Sequence, residues 1–448
     1  MSKTFRPWDV DQVWLLPPSI QDLVPAGHMA HFVRDTVRTG LDLSRIMESY
    51  DEDRGFPPYH PGMMVALLLY AYSQGVYSSR RIARGCEERL DFVAVTGMQR
   101  PDFRTISDFR KRHLAALSGL FQQVLKLCRE AGLVKLGHVA LDGTKIKANA
   151  GINKAMSYGR MKEAEPRLAA EVQSWLVQAA QTDKAEDRQF GAGLRGDELP
   201  DWVANKQKRL EKIRQARAAL EAEARARAEA ASREDSGGEG SVADGGKAKP
   251  GRKPKSVSAE PDNKSQRNFT DPDSRVMPTK SGFIQGYNAQ AAVDGAHQII
   301  VAQTLSNSSS DQAQLAPVLD AIKANLGMNP DEVSADAGYC SAANIRTIIR
   351  RRIEGYIATG RQKHGAKSAT TKRQTTSSTL VARMTTKLKR AGYRSRYRLR
   401  KQIVEPVFGQ IKQARGFRQF LLRGIEKTQC EWAMICTAHN LTKLAAAR

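Results

Sequence analysis

The sequence predicts an α/β fold in which a mixed sheet flanked by helices follows an all-helical N-terminal part and is interrupted by a helical insertion. Three observations lead to this prediction. The first 132 residues show helical periodicity, short strands alternate with helices from residue 138 onward, and a long stretch rich in Ala, Glu, Lys and Arg divides these strands. The 448 residues are enough for two or three domains with substantial cores.

Composition argues against several classes of protein. The apolar fraction of 41% fits a globular chain, and the longest apolar run, Met63–Tyr72, is about half the length of a membrane-spanning helix. No signal-like segment opens the chain, and the five cysteines are irregularly spaced. We therefore expect a reduced, cytoplasmic protein with no membrane partner. The absence of a glycine-rich phosphate-binding motif predicts that no nucleotide cofactor is used.

The positive charge is concentrated in the C-terminal part of the chain. The net charge is +24, and residues 345–423 contain 22 Lys and Arg residues but only two acids, Glu354 and Glu405. Such a concentration suits a polyanionic partner, of which nucleic acid is the commonest. A solvated, solubilising surface is the alternative, although such surfaces normally intersperse acidic residues.

The N-terminal part contains three recognisable helices. Gly62–Tyr72 is apolar almost all round, which is typical of a central core helix. Ser78–Leu90 carries three arginines near its start, and a long helix is predicted from Thr105 to Gly132. This pattern fits either a helix-turn-helix DNA reader or a bundle with ordinary surface arginines. The candidate DNA-contacting residues in this part are Arg80, Arg81, Arg84, Arg110 and Lys111.

The strands of the predicted sheet begin at His138. They are predicted over 138–142, 286–294, 298–304, 332–335 and 355–358, with helices over 311–326 and 342–351. The turn Asp294-Gly295 predicts that the second and third strands form a hairpin. In the insertion, 161–181 and 202–233 predict a helical hairpin or short coiled coil, and 236–265 a flexible linker.

Two aspartates end strands of this sheet. Asp142 and Asp336 each follow a short apolar strand and lie next to a glycine turn. Acids at the carboxyl ends of strands in an open sheet face the crevice where ligands bind. Two adjacent carboxylates repel each other unless a cation lies between them, and carboxylate oxygens suit Mg²⁺ or Mn²⁺. A divalent-metal site that includes both aspartates is therefore expected.

A third acid lies alone in a basic segment. Glu405 is the only carboxylate between Tyr393 and Arg423, and Pro406 predicts a helix that starts just upstream or kinks there. The residues on roughly the same helical face are Tyr397, Arg398, Lys401 and Lys412. Three carboxylates, surrounding cations and a polyanionic partner suggest two-metal phosphodiester chemistry. Four further acids are assigned structural roles in turns and caps: Asp271, Asp273, Asp294 and Asp311.

Three segments carry a resemblance to a known family. Leu141–Asn149, Ala335–Tyr339 and Val404–Lys412 closely resemble the three active-site blocks of bacterial insertion-sequence DDE transposases. Residues 59–72 and 105–113 resemble the helical N-terminal domain of that family, and residues 269–275 and 285–290 also match it. The blocks occur in the family's order and cover almost the whole chain except residues 160–265.

The resemblance implies an RNase H-like catalytic core with Asp142, Asp336 and Glu405 as the metal-binding triad. It also implies Mg²⁺-dependent cleavage at terminal inverted repeats, with Mn²⁺ as a substitute, and attack of the freed 3′-hydroxyl on target DNA. A homodimer is expected because two DNA ends must be held together, and such a protein would associate with the nucleoid when bound to DNA. An inactive or domesticated DNA-binding protein and an RNase H-like nuclease without strand transfer are the alternatives.

One departure from the family pattern concerns the segment before Glu405. The family signature has Tyr and Arg seven and four residues before the Glu, whereas Tyr397 and Arg400 are each shifted by one. The expected DNA contacts in the catalytic part are Lys145, Lys147, Arg398, Arg400, Lys401 and Lys412. The predicted division is a DNA-binding domain (1–132), a first core part (133–159), a helical insertion (160–235), a linker (236–268) and a second core part with basic C-terminal helices (269–448).

Overall fold

The structure of this chain is a computed structural model that describes residues 19, 22, 24–50, 58–190, 201–236, 258–360, 379–391 and 396–447. Residues 237–257, which form most of the predicted linker, lie outside the described residues. The described part is a mixed α/β fold with a helical N-terminal region, which confirms the predicted fold class.

In the described part of the chain, seven helices precede the first strand. They are α1 (Met29–Thr39), α2 (Ser44–Met47), α3 (Pro61–Ser73), α4 (Ser79–Glu88), α5 (Leu90–Thr96), α6 (Phe103–Arg112) and α7 (Leu114–Glu130). Helix α3 is buried along nearly its whole length, as its apolar sequence predicts. The predicted single helix after Thr105 is instead two helices, because His113 leaves helical geometry and packs its ring against Phe109 and Tyr50.

The central sheet has six strands in the order β4-β5-β1-β7-β8, with β6 paired to β5. The strands that the structure describes are β1 (His138–Lys147), β2 (Ala155–Ser157), β3 (Gln266–Asn268), β4 (Arg275–Thr279), β5 (Gly282–Asp294), β6 (Ile300–Ser306), β7 (Glu332–Ala335) and β8 (Glu354–Ile357). Strands β1, β7 and β8 are parallel, whereas β5 is antiparallel to β1, β4 and β6.

The predicted strands all occur in this sheet, and the hairpin around Asp294 is confirmed. Strand β4 and the small pair formed by β2 and β3 were not predicted from the sequence. The first strand is also longer than predicted, since it continues through Gly143 to Lys147 alongside β5. This extension places the middle of β1, rather than its end, beside the tip of the shorter strand β7.

The predicted helical insertion consists of α8 (Tyr158–Phe190) and α9 (Asp201–Ser236). The two helices are antiparallel, because Glu171 pairs with Lys206 near one end and Tyr158 contacts Glu221 near the other. Their contact has its own apolar cluster, separate from the main core: Tyr158, Met161, Leu168, Leu210, Ile213, Ala216 and Leu220.

Among the residues described after the insertion there are five helices, and the last of them is the most buried. They are α10 (Leu315–Leu326), α11 (Ala342–Arg350), α12 (Leu380–Ala391), α13 (Leu399–Gly409) and α14 (Ile425–Ala446). Helix α14 packs between the sheet and helices α3 and α7, and Trp432 at its centre is fully buried. Among the described helices, none has the length and apolarity needed to cross a membrane.

A buried carboxylate on α14 holds the segment before that helix. Glu431 is 1% exposed and accepts hydrogen bonds from the backbone N–H groups of Leu421 and Leu422. Burial raises the pKa of Glu431 to about 7, against the opposing effect of these two N–H donors. The same segment pairs with the end of β1, since Phe420 donates its N–H to the carbonyl of Lys147. Glu431 therefore links α14 to the far end of the central strand.

Replacing Glu431 by Ala is expected to lower the free energy of unfolding by about 2–4 kcal/mol, because two backbone N–H groups lose their acceptor and a cavity remains. Denaturant unfolding of the full chain at pH 6 would measure this change. The matched control is Glu426→Ala in the exposed first turn of the same helix, for which a change within about 0.5 kcal/mol is expected. Equal effects of the two substitutions would contradict this role for Glu431.

Candidate active site

Asp142 on the central strand lies close to Asp336, the first residue after β7. Strands β1 and β7 pair in parallel from His138 opposite Glu332 to Ala140 opposite Ser334, and the same register continued brings Asp142 opposite Asp336. Strand β7 ends at Ala335 while β1 continues to Lys147, which leaves a notch in the sheet beside Asp142, and Asp336 is the first residue beyond the tip of β7. The two aspartates thus meet at the carboxyl-terminal end of β7, the part of an open sheet where ligands bind.

The electrostatic environment of Asp142 is dominated by burial. Burial raises the pKa of Asp142 to about 6; the guanidinium of Arg400 opposes this shift, while the carboxylates of Asp336 and Asp311 add to it. A single cationic partner therefore compensates the burial of Asp142 only in part. This is the balance expected where three carboxylates share one region and one guanidinium lies among them.

Arg400 connects the first and third predicted acids. Its Nη1 lies 2.6 Å from Oδ2 of Asp142, and its Nη2 lies 3.2 Å from Oε1 of Glu405. The side chain of Arg400 is 12% exposed, whereas that of Glu405 is 48% exposed. Its Nε is buried and has no hydrogen-bond partner within the described part of the chain. In the family signature the arginine lies four residues before the Glu, whereas Arg400 lies five residues before Glu405. At this position Arg400 bridges Asp142 and Glu405.

Helix α13 brings Arg400 and Glu405 to the sheet. Its apolar side, formed by Ile403, Val404 and Val407, is buried, and the helix packs on β1 and β5. Pro406 lies inside the helix and lacks the N–H that would bond to the carbonyl of Gln402. The side-chain amide of Gln298 supplies this bond instead, at 3.0 Å. The helix therefore continues through the proline.

Lys412 lies one short helical segment beyond α13. This segment, Gln410–Ala414, is a π-helix, and Nζ of Lys412 donates to Oγ1 of Thr144 at 2.9 Å and to the carbonyl of Lys145 at 3.1 Å. Burial lowers the pKa of Lys412. The lysine is thus fixed on β1, two residues beyond Asp142.

A fourth acid, Asp311, lies in the same region. The sequence analysis assigned it a helix-capping role, but its side chain makes no capping hydrogen bond. Its Oδ1 instead accepts hydrogen bonds from Nδ2 of Asn288 at 2.7 Å and from Nε2 of Gln290 at 2.8 Å. The capping assignment was therefore wrong. Asn288 and Gln290 are two residues apart on β5, so their side chains lie on the same face of a buried strand. Buried polar side chains require hydrogen-bond partners, and this pattern could have indicated that a polar residue such as Asp311 lies next to them.

The other three acids have structural partners. Asp294 accepts hydrogen bonds from the N–H groups of Leu136 and Ala296, as befits its place in the hairpin turn. Asp271 accepts from the hydroxyl of Tyr287, and Asp273 accepts from the N–H of Ile425 at the start of α14.

The predicted DNA-contacting residues differ in exposure. Arg110 is only 6% exposed and donates to the hydroxyl groups of Tyr72 and Ser79 and to the carbonyl of Tyr77, so a DNA contact by Arg110 does not fit this structure. Arg400 and Lys412 are directed towards the acidic site, as described above. The exposed members are Arg80, Arg81, Arg84, Lys111, Lys147, Arg398 and Lys401, and Lys145 is intermediate.

The chemistry of these residues fits a divalent cation of the Mg²⁺ class. Asp142, Asp336 and Glu405 supply hard oxygen donors, and two of them, Asp142 and Glu405, already hold the positive charge of the Arg400 guanidinium. In the conformation described, however, no three acidic, histidine or cysteine side chains among the described residues converge closely enough to hold a metal ion. In this conformation the guanidinium of Arg400 contacts both Asp142 and Glu405.

Two transposase families match this chain. Residues 264–441 match the family described as Transposase DDE domain, and residues 18–112 match the family described as Transposase domain (DUF772). Asp336 and Glu405 lie inside the first match, whereas Asp142 lies outside both. No curated protein and no solved structure matches the chain.

The raised pKa of Asp142 predicts how stability depends on pH. An unfolded aspartate ionises near pH 3.8, whereas folded Asp142 ionises near pH 6, so the wild-type protein loses stability relative to Asp142→Asn as pH rises across this interval. The relative change is expected to reach about 2–3 kcal/mol by pH 7. Denaturant unfolding in EDTA between pH 4 and pH 7.5 would measure it. The control is Asp320→Asn, at an exposed carboxylate paired with Arg351. A wild-type-to-variant difference that is constant with pH would contradict the burial of this charge.

Proposed function

We propose that this chain, which belongs to the DDE transposases of insertion sequences, cuts DNA at the terminal inverted repeats of its element and joins the freed ends to target DNA. Family membership supports a transposase role and hence DNA as the partner. The proposal of DNA cleavage and joining rests on one observation: Asp142 lies near Asp336, and Arg400 links Glu405 to Asp142.

Asp142, Asp336 and Glu405 are proposed to hold Mg²⁺ or Mn²⁺. When bound, such cations activate a water or 3′-hydroxyl and stabilise the leaving oxygen in phosphodiester chemistry. The protein's own part is to keep these oxygens at the notch of the sheet and to compensate their charge. Arg400 supplies that compensation in the conformation described, and its displaced guanidinium is suited to a DNA phosphate.

The DNA is proposed to cross two basic surfaces. The first surface is defined by Lys145 and Lys147, which continue β1 beyond Asp142, and by Arg398 and Lys401, which lie just before and within the first turn of α13, the helix that carries Arg400 and Glu405. The second surface is defined as the exposed arginines of α4, Arg80, Arg81 and Arg84, and is here called the α4 arginine surface. Phosphate contacts of this kind give affinity and register without reading sequence. We propose further that a homodimer holds the two ends.

An end-cleavage assay tests the function directly. Full-length protein with Mg²⁺ is expected to cut labelled DNA carrying the sequences that flank its coding region, and EDTA is expected to abolish the cuts. Asp142→Asn, Asp336→Asn and Glu405→Gln should each lower the rate by about 100-fold or more, since loss of a mere supporting partner of a metal ligand already costs 10- to 100-fold. Asp320→Asn, on the exposed surface of α10, should cleave as the wild type does.

Three results would change the assignment. Undiminished cleavage by Asp336→Asn would refute the proposed triad. DNA that is bound but never cut would favour a DNA-binding protein without catalytic activity. Cut ends that are never joined to target DNA would favour a nuclease without strand transfer.

The α4 arginine surface predicts a change in the salt dependence of DNA binding. Replacing Arg80, Arg81 and Arg84 together by Ala should weaken binding and reduce the slope of log K against log salt by about 2–3, since each phosphate contact contributes about 0.9. Fluorescence anisotropy at several salt concentrations would measure the slope. The charge-matched control replaces the exposed Lys208, Arg209 and Lys212 of α9. A slope change of the same size in the control would mean that general charge, and not α4, accounts for the effect.

A further inference from the structure

We propose that Asp311 is a fourth acidic residue of the active site, whose negative charge helps to bind the divalent cation beside Asp142 and Asp336. This inference rests on the proposed function and deepens it. The match to known families assigns no role to Asp311, and its position before α10 gave it the appearance of a helix cap.

The position of Asp311 is defined by two glycines that flank the other aspartates. A Cβ atom placed on Gly143, the residue after Asp142, would lie 2.6 Å from Oδ1 of Asp311. A Cβ atom placed on Gly338 would lie 3.1 Å from Oδ2 of Asp311 and 3.0 Å from Oδ1 of Asp336. Asp311 therefore fills the space between the Asp142 strand and the Asp336 turn, and one of its oxygens faces the same point as Asp336.

A network of neutral polar groups holds Asp311 in this place. Asn288 and Gln290 donate to its Oδ1, and Gln290 in turn accepts a hydrogen bond from the hydroxyl of Tyr339, three residues after Asp336. Within the described ranges, no hydrogen bond reaches Oδ2 of Asp311 and no ion pair is formed with its carboxylate. The network thus fixes the geometry of Asp311 but leaves its charge uncompensated.

An independent observation points to a ligand in this space. Asn288 is fully buried, yet its carbonyl oxygen has no hydrogen-bond partner in the described part of the chain. This oxygen lies 2.9 Å from the position that a Cβ atom on Gly143 would occupy, which is also the position that Oδ1 of Asp311 approaches. A buried unpaired oxygen is unfavourable unless a cation or water satisfies it. Asp311 also lies close enough to act electrostatically on the neighbouring residues, since its negative charge is one of the causes that raise the pKa of Asp142 and of Tyr339.

A purely structural role for Asp311 makes a different prediction from a cation-binding role. Asp311→Asn keeps a side-chain oxygen that can accept the hydrogen bonds from Asn288 and Gln290. If the role of Asp311 is only structural, this substitution should therefore leave both stability and Mn²⁺ binding unchanged. The substitution removes the negative charge, however, so Mn²⁺ binding should weaken if Asp311 helps to bind the cation. Asp311→Ala removes both the acceptor and the charge.

The experiment is a titration of the full chain with Mn²⁺ alone, followed by calorimetry, with thermal unfolding of each variant measured in EDTA. Asp311→Asn is expected to bind Mn²⁺ about 10- to 100-fold more weakly than the wild type while its melting temperature in EDTA does not fall. Asp142→Asn serves as the reference variant of the proposed site. Asp320→Asn, an exposed acid on the following helix, is the matched control and should bind as the wild type does.

The outcomes separate this inference from the proposed function. If Asp142→Asn weakens Mn²⁺ binding and Asp311→Asn does not, Asp311 is only structural and the inference is wrong. If neither substitution changes Mn²⁺ binding, the proposed metal site itself fails. A loss of stability in Asp311→Ala together with unchanged binding in Asp311→Asn would likewise overturn the inference.

Discussion

The burial of a carboxylate in the middle of the sheet is the constraint on which the site depends. Asp142 lies on the central strand between β5 and the tip of β7, where burial disfavours its charged form. A buried ion pair seldom stabilises a fold by itself, because desolvation offsets much of the attraction. The arrangement is therefore best understood as a cost to stability that the surrounding core offsets, and Arg400 limits that cost while no cation is present.

Helix α14 provides much of this surrounding core. It is buried on the sheet side and on the side of the N-terminal helices, and its polar side chains are used as fixed contacts with the strands. Trp432 donates to the carbonyl of Gln290, and Asn440 bonds both the N–H and the carbonyl of Ile300. Because Gln290 also holds Asp311, the position of α14 is coupled to the acidic site through β5.

The sequence predicted those features that depend on local pattern and missed those that depend on distant contacts. Asp142 and Asp336 each follow a short apolar run and lie next to a glycine, so both acids could be found, although β1 continues past Asp142 to Lys147. The burial of Arg110 could not, because its partners lie on an earlier helix and loop and the arginine looks like any surface residue of an amphipathic helix. Asp311 was missed for the same reason, since an aspartate before a helix has the same local pattern whether or not its side chain caps.

The shifted arginine illustrates how one residue of register changes a site. In an α-helix, a residue four positions before Glu405 would lie about 40° around the helix axis from it, on the same face. A residue five positions before lies about 140° away, and Arg400 at that position is directed towards β1 while its long side chain still reaches Glu405. The guanidinium can therefore bridge two acids that no direct contact joins. The same rotation makes Arg400 a direct competitor of any cation that binds between those two acids.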